Sequence, residues 1–226
     1  MLNGEVTALK AGTTTITVTT AEGSFTATCT VTVTATDPTD PDDPDPDDPE
    51  WILIDGIKWA TRNVDAPGTF AAKPEDLGMF YQWNRKVGWS STDPMINSNG
   101  GNTWSNLFPD ATYTWEAAND PCPQGWRVPT HEEQQSLVNS GYSEWTTSNG
   151  INGRFFCNGN NKVFFPASGR RNGSTGALSG VGTYGSYWSS TRADVAGAYN
   201  IAFTSEAAGT NDPGTTTGYS VRCVKQ

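Results

Sequence analysis

Residues 37 to 50 read DPTDPDDPDPDDPE. No chain can carry this run through a packed domain. Proline fixes φ, removes a backbone N–H and steers the residue before it away from the helix. Prolines every two or three residues therefore break helix and sheet alike. Repulsion between the aspartates extends the chain further. The expected state is a polyproline-like spacer of about 3.1 Å per residue, roughly 40 Å long. A calcium loop fits these aspartates poorly, because an EF-type loop needs a glycine turn and a closing glutamate and prolines hinder wrapping. The run cuts the chain into residues 1–36, 37–50 and 51–226.

The first zone alternates at period two. In TTTITVTT and FTATCTVTVT, Ile16 and Val18, then Ala27, Cys29, Val31 and Val33, share one face, with AEGS as the turn between. A lone hairpin is marginal in water, so further strands precede it or it packs on something else. The stretch NGEVTALKAGTTTITVTTAEGSFTATCTVTV resembles the C-terminal half of a group-2 bacterial immunoglobulin-like domain. The resemblance implies an N-terminal all-β, Ig-like fragment.

The third zone carries most of the aromatic residues. Of 226 residues, nine are Trp, nine Phe and seven Tyr, enough large rings to fill a core without many aliphatics. Abundant Gly, Thr, Ser and Asn favours strands and long loops. WILIDGIKWATRNV reads as two short strands around an Asp-Gly turn. A loop-rich region follows through Trp83, Trp89, Trp104 and Trp115. One helix is expected, N-capped by Thr130 with Glu133 completing a capping box. It turns Leu137 and Val138 inward and stops at Gly141. GRFFCNGNNKVFFPASGRR reads as a hairpin, and GSYWSST, GAYNIAFTS and GYSVRCVK as the last strands. Trp59, Trp126 and Trp188 are expected core anchors. Trp89 and Trp104 are the tryptophans placed to stack on sugar, against the commoner role of packing. Along GAYNIAFTS, Tyr199, Ile201 and Phe203 should face inward. Ala198, Asn200, Ala202 and Thr204 should face out, with a Gly- and Asn-rich loop after Ser205.

Charge and cysteine usage exclude several function classes. The net charge is −10, much of it in the spacer, so nucleic acid is not an expected partner. No apolar run is long enough for a membrane span. Met1 starts no signal peptide, so the chain reads as a piece of a longer protein. The four cysteines, Cys29, Cys122, Cys157 and Cys223, lack CxxC spacing, and His131 is the one histidine. No metal site or cofactor is expected. At least one disulfide is, which implies an oxidising compartment. Nucleophilic catalysis wants Ser or Cys beside a base. His131 lies in the first turn of the helix and reads as a solvated surface group. Glu132 and Glu133 suit a helix N-terminus. The chain is expected not to be an enzyme.

GIKWATRNV, NDPCPQGWRVPTHEE, NKVFFPASGRR, YGSYWSST, AYNIAFTS and GYSVRCV, in that order, resemble the Fibrobacter-type major paralogous domain. The resemblance spans Trp51 to Val224. Such domains occur in surface proteins of gut bacteria, and the family is similar in fold to C-type lectins and formylglycine-generating enzymes. It implies an α+β, β-rich, C-type-lectin-like domain with one main helix and long loops. It implies a Cys122–Cys223 disulfide, with Cys157 a free buried thiol and Cys29 also free. The reactive late cysteine pair of the formylglycine-generating relatives is missing, as are the calcium-site triplets of the lectins. A metal-free binding surface is what remains.

Some members of this fold are diversified by retroelements that mutate adenines near the 3′ end of the gene. Applied to residues 192–217, that implies a ligand surface of Asp194, Asn200, Ala202, Thr204, Glu206, Thr210, Asn211 and Asp212. An ordinary polar loop is the alternative. The expected function is a non-catalytic, adhesin-like module that binds a protein or glycan ligand. The other is a structural part of a surface or fibre assembly. The expected location is extracellular or on a bacterial cell surface, within a longer anchored protein, or on a phage particle.

Overall fold

The computed structural model describes residues 12–33, 50–109, 112–157 and 161–226. The chain divides into two compact units, Met1–Pro49 and Glu50–Gln226. The Asp/Pro spacer up to Pro49, and the first eleven residues of the expected Ig-like fragment, lie outside the described residues.

In the first unit, β1 (Gly12–Thr19) and β2 (Thr26–Val33) form an antiparallel hairpin. Ile16 faces Cys29 and Val18 faces Ala27 across it, which is the shared face the alternation predicts. Val18 and Phe25 are largely exposed. Two strands are what this unit shows. An Ig-like fragment is not.

In the second unit, β3 (Trp51–Ile54) and β4 (Ile57–Ala60) flank Asp55 and Gly56, both at positive φ. Two successive positive φ values make the primed turn that matches strand twist, and Asp-Gly supplies them cheaply. Then come β5 (Phe80–Tyr81), β6 (Gly88–Trp89), β7 (Trp126–Arg127) and the single α-helix among the described residues, α1 (His131–Asn139). They are followed by β8 (Ser143–Ser148), β9 (Ile151–Phe156), β10 (Val163–Pro166), β11 (Arg170–Arg171) and β12 (Leu178–Ser179). The chain closes with β13 (Gly185–Arg192), β14 (Ala198–Phe203), β15 (Ala208–Asn211) and β16 (Val224–Lys225). The larger sheets run β3-β4-β16-β7, β10-β9-β8 and β13-β14-β15.

The helix starts where its chemistry says. The Thr130 hydroxyl accepts the Glu133 N–H at 3.3 Å, and the Glu133 carboxylate accepts the Thr130 N–H at 2.8 Å. Arg127 closes on the same carboxylate at 2.6 and 2.8 Å. Burial would raise the Glu133 carboxyl, but the Arg127 and Thr130 hydrogen bonds outweigh it and hold the group below the usual range. Buried Gln134 then donates to the carbonyls of Tyr187 and Trp188, which docks α1 on β13.

β13 runs between two aromatic clusters. Trp188 packs with Tyr81, Trp83, Trp126, Tyr219 and Cys223 on one side. Tyr187 packs with Trp59, Phe156, Phe165 and Phe203 on the other. Each fully buried ring of this kind stabilises by about 2–3 kcal/mol. A disulfide joins Cys122 to Cys223 across 101 residues, the pairing the resemblance implies.

Three expectations are corrected. The class is mostly β, not α+β: among the described residues one nine-residue helix stands against sixteen short strands in six small sheets. Neither the C-type-lectin-like arrangement nor the Ig-like fragment is shown by this set of sheets. The outward positions of β14 are not outward. Asn200 pairs with Trp188 and Ala202 with Ser186, so both side chains lie on the side of the first cluster and are buried. A strand covered on both faces loses the polar-out signal. Finally, the expected loop after Ser205 contains β15, antiparallel to β14, with Phe203 opposite Ala208.

Candidate functional site

β5 leaves the core at Tyr81, and residues 82–87 turn the chain back into β6. Gln82 is almost fully buried. Its Nε2 donates to the carbonyls of Ser105 at 2.6 Å and Thr216 at 2.7 Å. Both partners are acceptors, so the orientation of the amide is fixed. Asn84 sits in the left-handed region with φ of 56°, which asparagine tolerates better than most residues. Its Oδ1 accepts the Glu116 N–H at 2.9 Å and the Asn119 amide at 3.3 Å. Arg85 reaches the Leu107 carbonyl at 3.1 Å. These bonds draw the segments 82–87, 105–109 and 116–119 into the walls of one open cleft of about 670 Å³. Leu107 and Phe108 stand on its rim, 69% and 60% exposed.

Hydrogen bonds through Thr112 link a wall of this cleft to the residues of a second hollow. The Asn84 amide donates to the Thr112 hydroxyl at 3.2 Å, and Arg192 donates to the Thr112 carbonyl at 3.0 Å. Thr112, Tyr113, Arg192, Asp194 and Val195 line a second hollow of about 270 Å³. Tyr113 and Val195 are 88% and 85% exposed there. These side chains leave apolar surface on neighbouring loops beside a polar cleft.

The charges are mixed. Arg85, Lys86 and Glu116 line the cleft. Asp120 lies within the field of Lys86. Burial pushes its carboxyl up, against the N–H groups of Cys122 and Val128 and the charges of Lys86 and Arg127. Asp194 is held below the ordinary carboxylate range by the N–H groups of Ala196 and Gly197. Among the described residues no group of three or more His, Cys, Asp or Glu is arranged to hold a metal ion. His131, expected as a solvated surface group, is half-buried. Its ring is stacked on Tyr199 at 3.8 Å, away from the residues that line either hollow.

A family model described as the Fibrobacter succinogenes major domain matches residues 54–225. The chain belongs to this family. No curated protein and no solved structure matches it.

Within the major domain, the expected ligand surface is not one face. Asn200 and Ala202 are buried, and the Asn200 amide is spent on the Ser186 hydroxyl. Thr204 and Glu206 lie in the exposed turn between β14 and β15. Thr210 is half-buried, and Asn211 is exposed near the far end of β15. Gly197 sits against both the Asp212 backbone and the Asp194 side chain, so these two acidic residues gather beside the second hollow. Of the expected set, only Asp194 lines either hollow.

Of the two tryptophans expected to stack on sugar, Trp89 lines the first cleft but is buried, and Trp104 is half-buried behind it. Trp89 and Trp104 lie 5.0 Å apart, ring to ring. Trp89 is buried, and the Trp104 indole donates to the Gly173 carbonyl. Trp59, Trp126 and Trp188 are core anchors, as expected. The exposed aromatics that line the two hollows are Phe108 and Tyr113, which the sequence reading did not single out. Their signal was present in NLFPDATY, where apolar residues sit in a Pro- and Asp-broken loop with no periodicity to bury them. Cys157 is free but half-buried rather than buried, and Cys29 is free and exposed.

No helix among the described residues is long and apolar enough to cross a membrane.

Proposed function

We propose that this major domain is a non-catalytic ligand-binding module, displayed at a bacterial surface within a longer protein, and that its ligand sits in the cleft between residues 82–87 and 105–109. One observation carries the reading. A cleft floored by an amide of fixed orientation, Gln82, is rimmed by Leu107 and Phe108, which the fold leaves largely in solvent. Folding gains nothing from exposed rings, whereas binding gains from them. A face of the β14–β15 hairpin, narrowed to its exposed residues Thr204, Glu206, Asn211 and Asp212, is the second reading. The exposure of those four side chains favours it.

Adhesion separates the two. Beads carrying the full chain are tested on surfaces coated with mucin glycoprotein, plain protein or nothing. The expected result is adhesion that falls with the Phe108→Ala/Tyr113→Ala double variant while the melting temperature holds. Adhesion equal to that of the native chain would remove the cleft from the account.

A further inference from the structure

We infer that the cleft takes a neutral oligosaccharide, bound without a metal ion. The inference rests on the ligand-binding reading above and names the ligand class.

The first observation is the floor. Gln82 spends its amide nitrogen on two carbonyls, and among the described residues no hydrogen bond reaches its Oε1. That oxygen is not among the buried atoms without a partner. The residue lines the cleft. The fold thus presents a pre-oriented acceptor, held by a nearly buried side chain, to an incoming O–H or N–H. An acceptor positioned beforehand costs little to order on binding.

The second observation is the charge balance. Arg85 and Lys86 are countered by Glu116 on the opposite wall and by the nearby Asp120 carboxylate. Charges of both signs around one cleft offer strong donors and strong acceptors, and set a like charge against an ion of either sign. A hydroxyl-rich neutral molecule uses both kinds of group, since each hydroxyl donates and accepts. An anionic ligand would meet Glu116.

The third observation separates sugar from peptide. An extended peptide binds by adding a strand to a free edge, and an amphipathic helix needs an apolar groove. The walls here are turns and loops, and their side chains are mixed amides, charges and a few apolar groups. Of the apolar lining residues Val87, Trp89, Leu107, Phe108 and Pro109, Phe108 carries the exposed ring, where the flat C–H face of a pyranose can lie.

The test uses the full chain on an array of neutral oligosaccharides beside uronate- and sialate-bearing counterparts, with a peptide library in parallel. Phe108→Ala and Glu116→Gln are chosen because both side chains are exposed. Their folding is checked by melting. The expected result is binding to neutral oligosaccharides, nearly unchanged between low and high salt. Each variant should weaken it about tenfold, the loss expected for one aromatic or charge-assisted contact. Binding confined to carboxylate-bearing glycans, or to peptides, and lost in Phe108→Ala would overturn the neutral-sugar inference and leave the cleft as a binding site. Binding of any class that neither variant alters, or no binding at all, would overturn this inference. In the first of those cases the cleft reading falls with it.

Discussion

The guanidinium of Arg222 closes on the amide oxygen of Asn63, with Nε at 3.0 Å and Nη2 at 2.6 Å. Its Nη1 donates to the Ala60 carbonyl at 3.1 Å, and the group lies over the ring of Phe165 at 4.5 Å. The side chain is buried, and burial lowers its pKa to about 10, so it stays protonated at neutral pH. An oxygen dipole, a carbonyl and aromatic faces hold this charge in place of a carboxylate.

A double-mutant cycle tests that arrangement. Arg222→Met leaves Asn63 Oδ1 without its donors in a dry place, and the expected cost is about 1–3 kcal/mol. Paired with Asn63→Ala, denaturant unfolding should give a coupling of about 1–3 kcal/mol. Additive losses would mean that the two residues do not support each other.

Removing the Cys122–Cys223 bond should cost about 3 kcal/mol, because it closes a loop of about 100 residues in the unfolded chain. For a domain of this size that lowers Tm by roughly 10 °C. Scanning calorimetry of Cys122→Ser/Cys223→Ser against the native chain measures it. An unchanged Tm would show that the two aromatic clusters carry the closing strand unaided.

Arg154 anchors the turn after β14. It donates to the Thr204 carbonyl at 2.8 Å and the Ser205 carbonyl at 3.3 Å, and to the Ser143 hydroxyl at 2.9 Å. Arg154→Ala should speed amide hydrogen exchange at Glu206 and Ala207 while exchange in residues 82–87 stays as it was. Equal acceleration in both places would point to general loosening of the domain instead.

His131 links stability to pH. Burial lowers its pKa, with the charge of Glu132 opposing, so the fold favours the neutral ring stacked on Tyr199. In the unfolded chain it titrates near 6.5. The stability it supports is complete above that value and falls as pH drops through it toward the lower folded value. The denaturant midpoint should therefore decrease between pH 7.5 and 5.5, and His131→Gln should flatten that slope. A variant with the native slope would assign the dependence to other groups. The raised carboxyl of Asp120 acts in the opposite sense at lower pH.

Local signals carried far in this chain. Thr130 and Glu133 announce a helix start through reciprocal hydrogen bonds that depend on a few neighbouring residues, and the helix is there. Asp55 and Gly56 announce their turn in the same way. The β14 pattern misled because alternation reports one covered face, and this strand lies between two clusters. The cleft was least legible. It is made by Gln82, Asn84 and Arg85 reaching residues far along the chain, and no spacing rule encodes those partners. Tryptophan content drew attention to Trp89 and Trp104, whose rings pack together, with Trp89 also lining the cleft.

The central claim is that the ligand sits against Phe108 rather than on the C-terminal hairpin. Surface plasmon resonance on one immobilised oligosaccharide tests it most directly, comparing the native chain, Phe108→Ala and Glu206→Ala/Asn211→Ala/Asp212→Ala. The account predicts affinity about tenfold weaker for Phe108→Ala and unchanged for the hairpin variant. Native affinity in Phe108→Ala, with loss in the hairpin variant, would contradict it and move the binding face to the C-terminal hairpin.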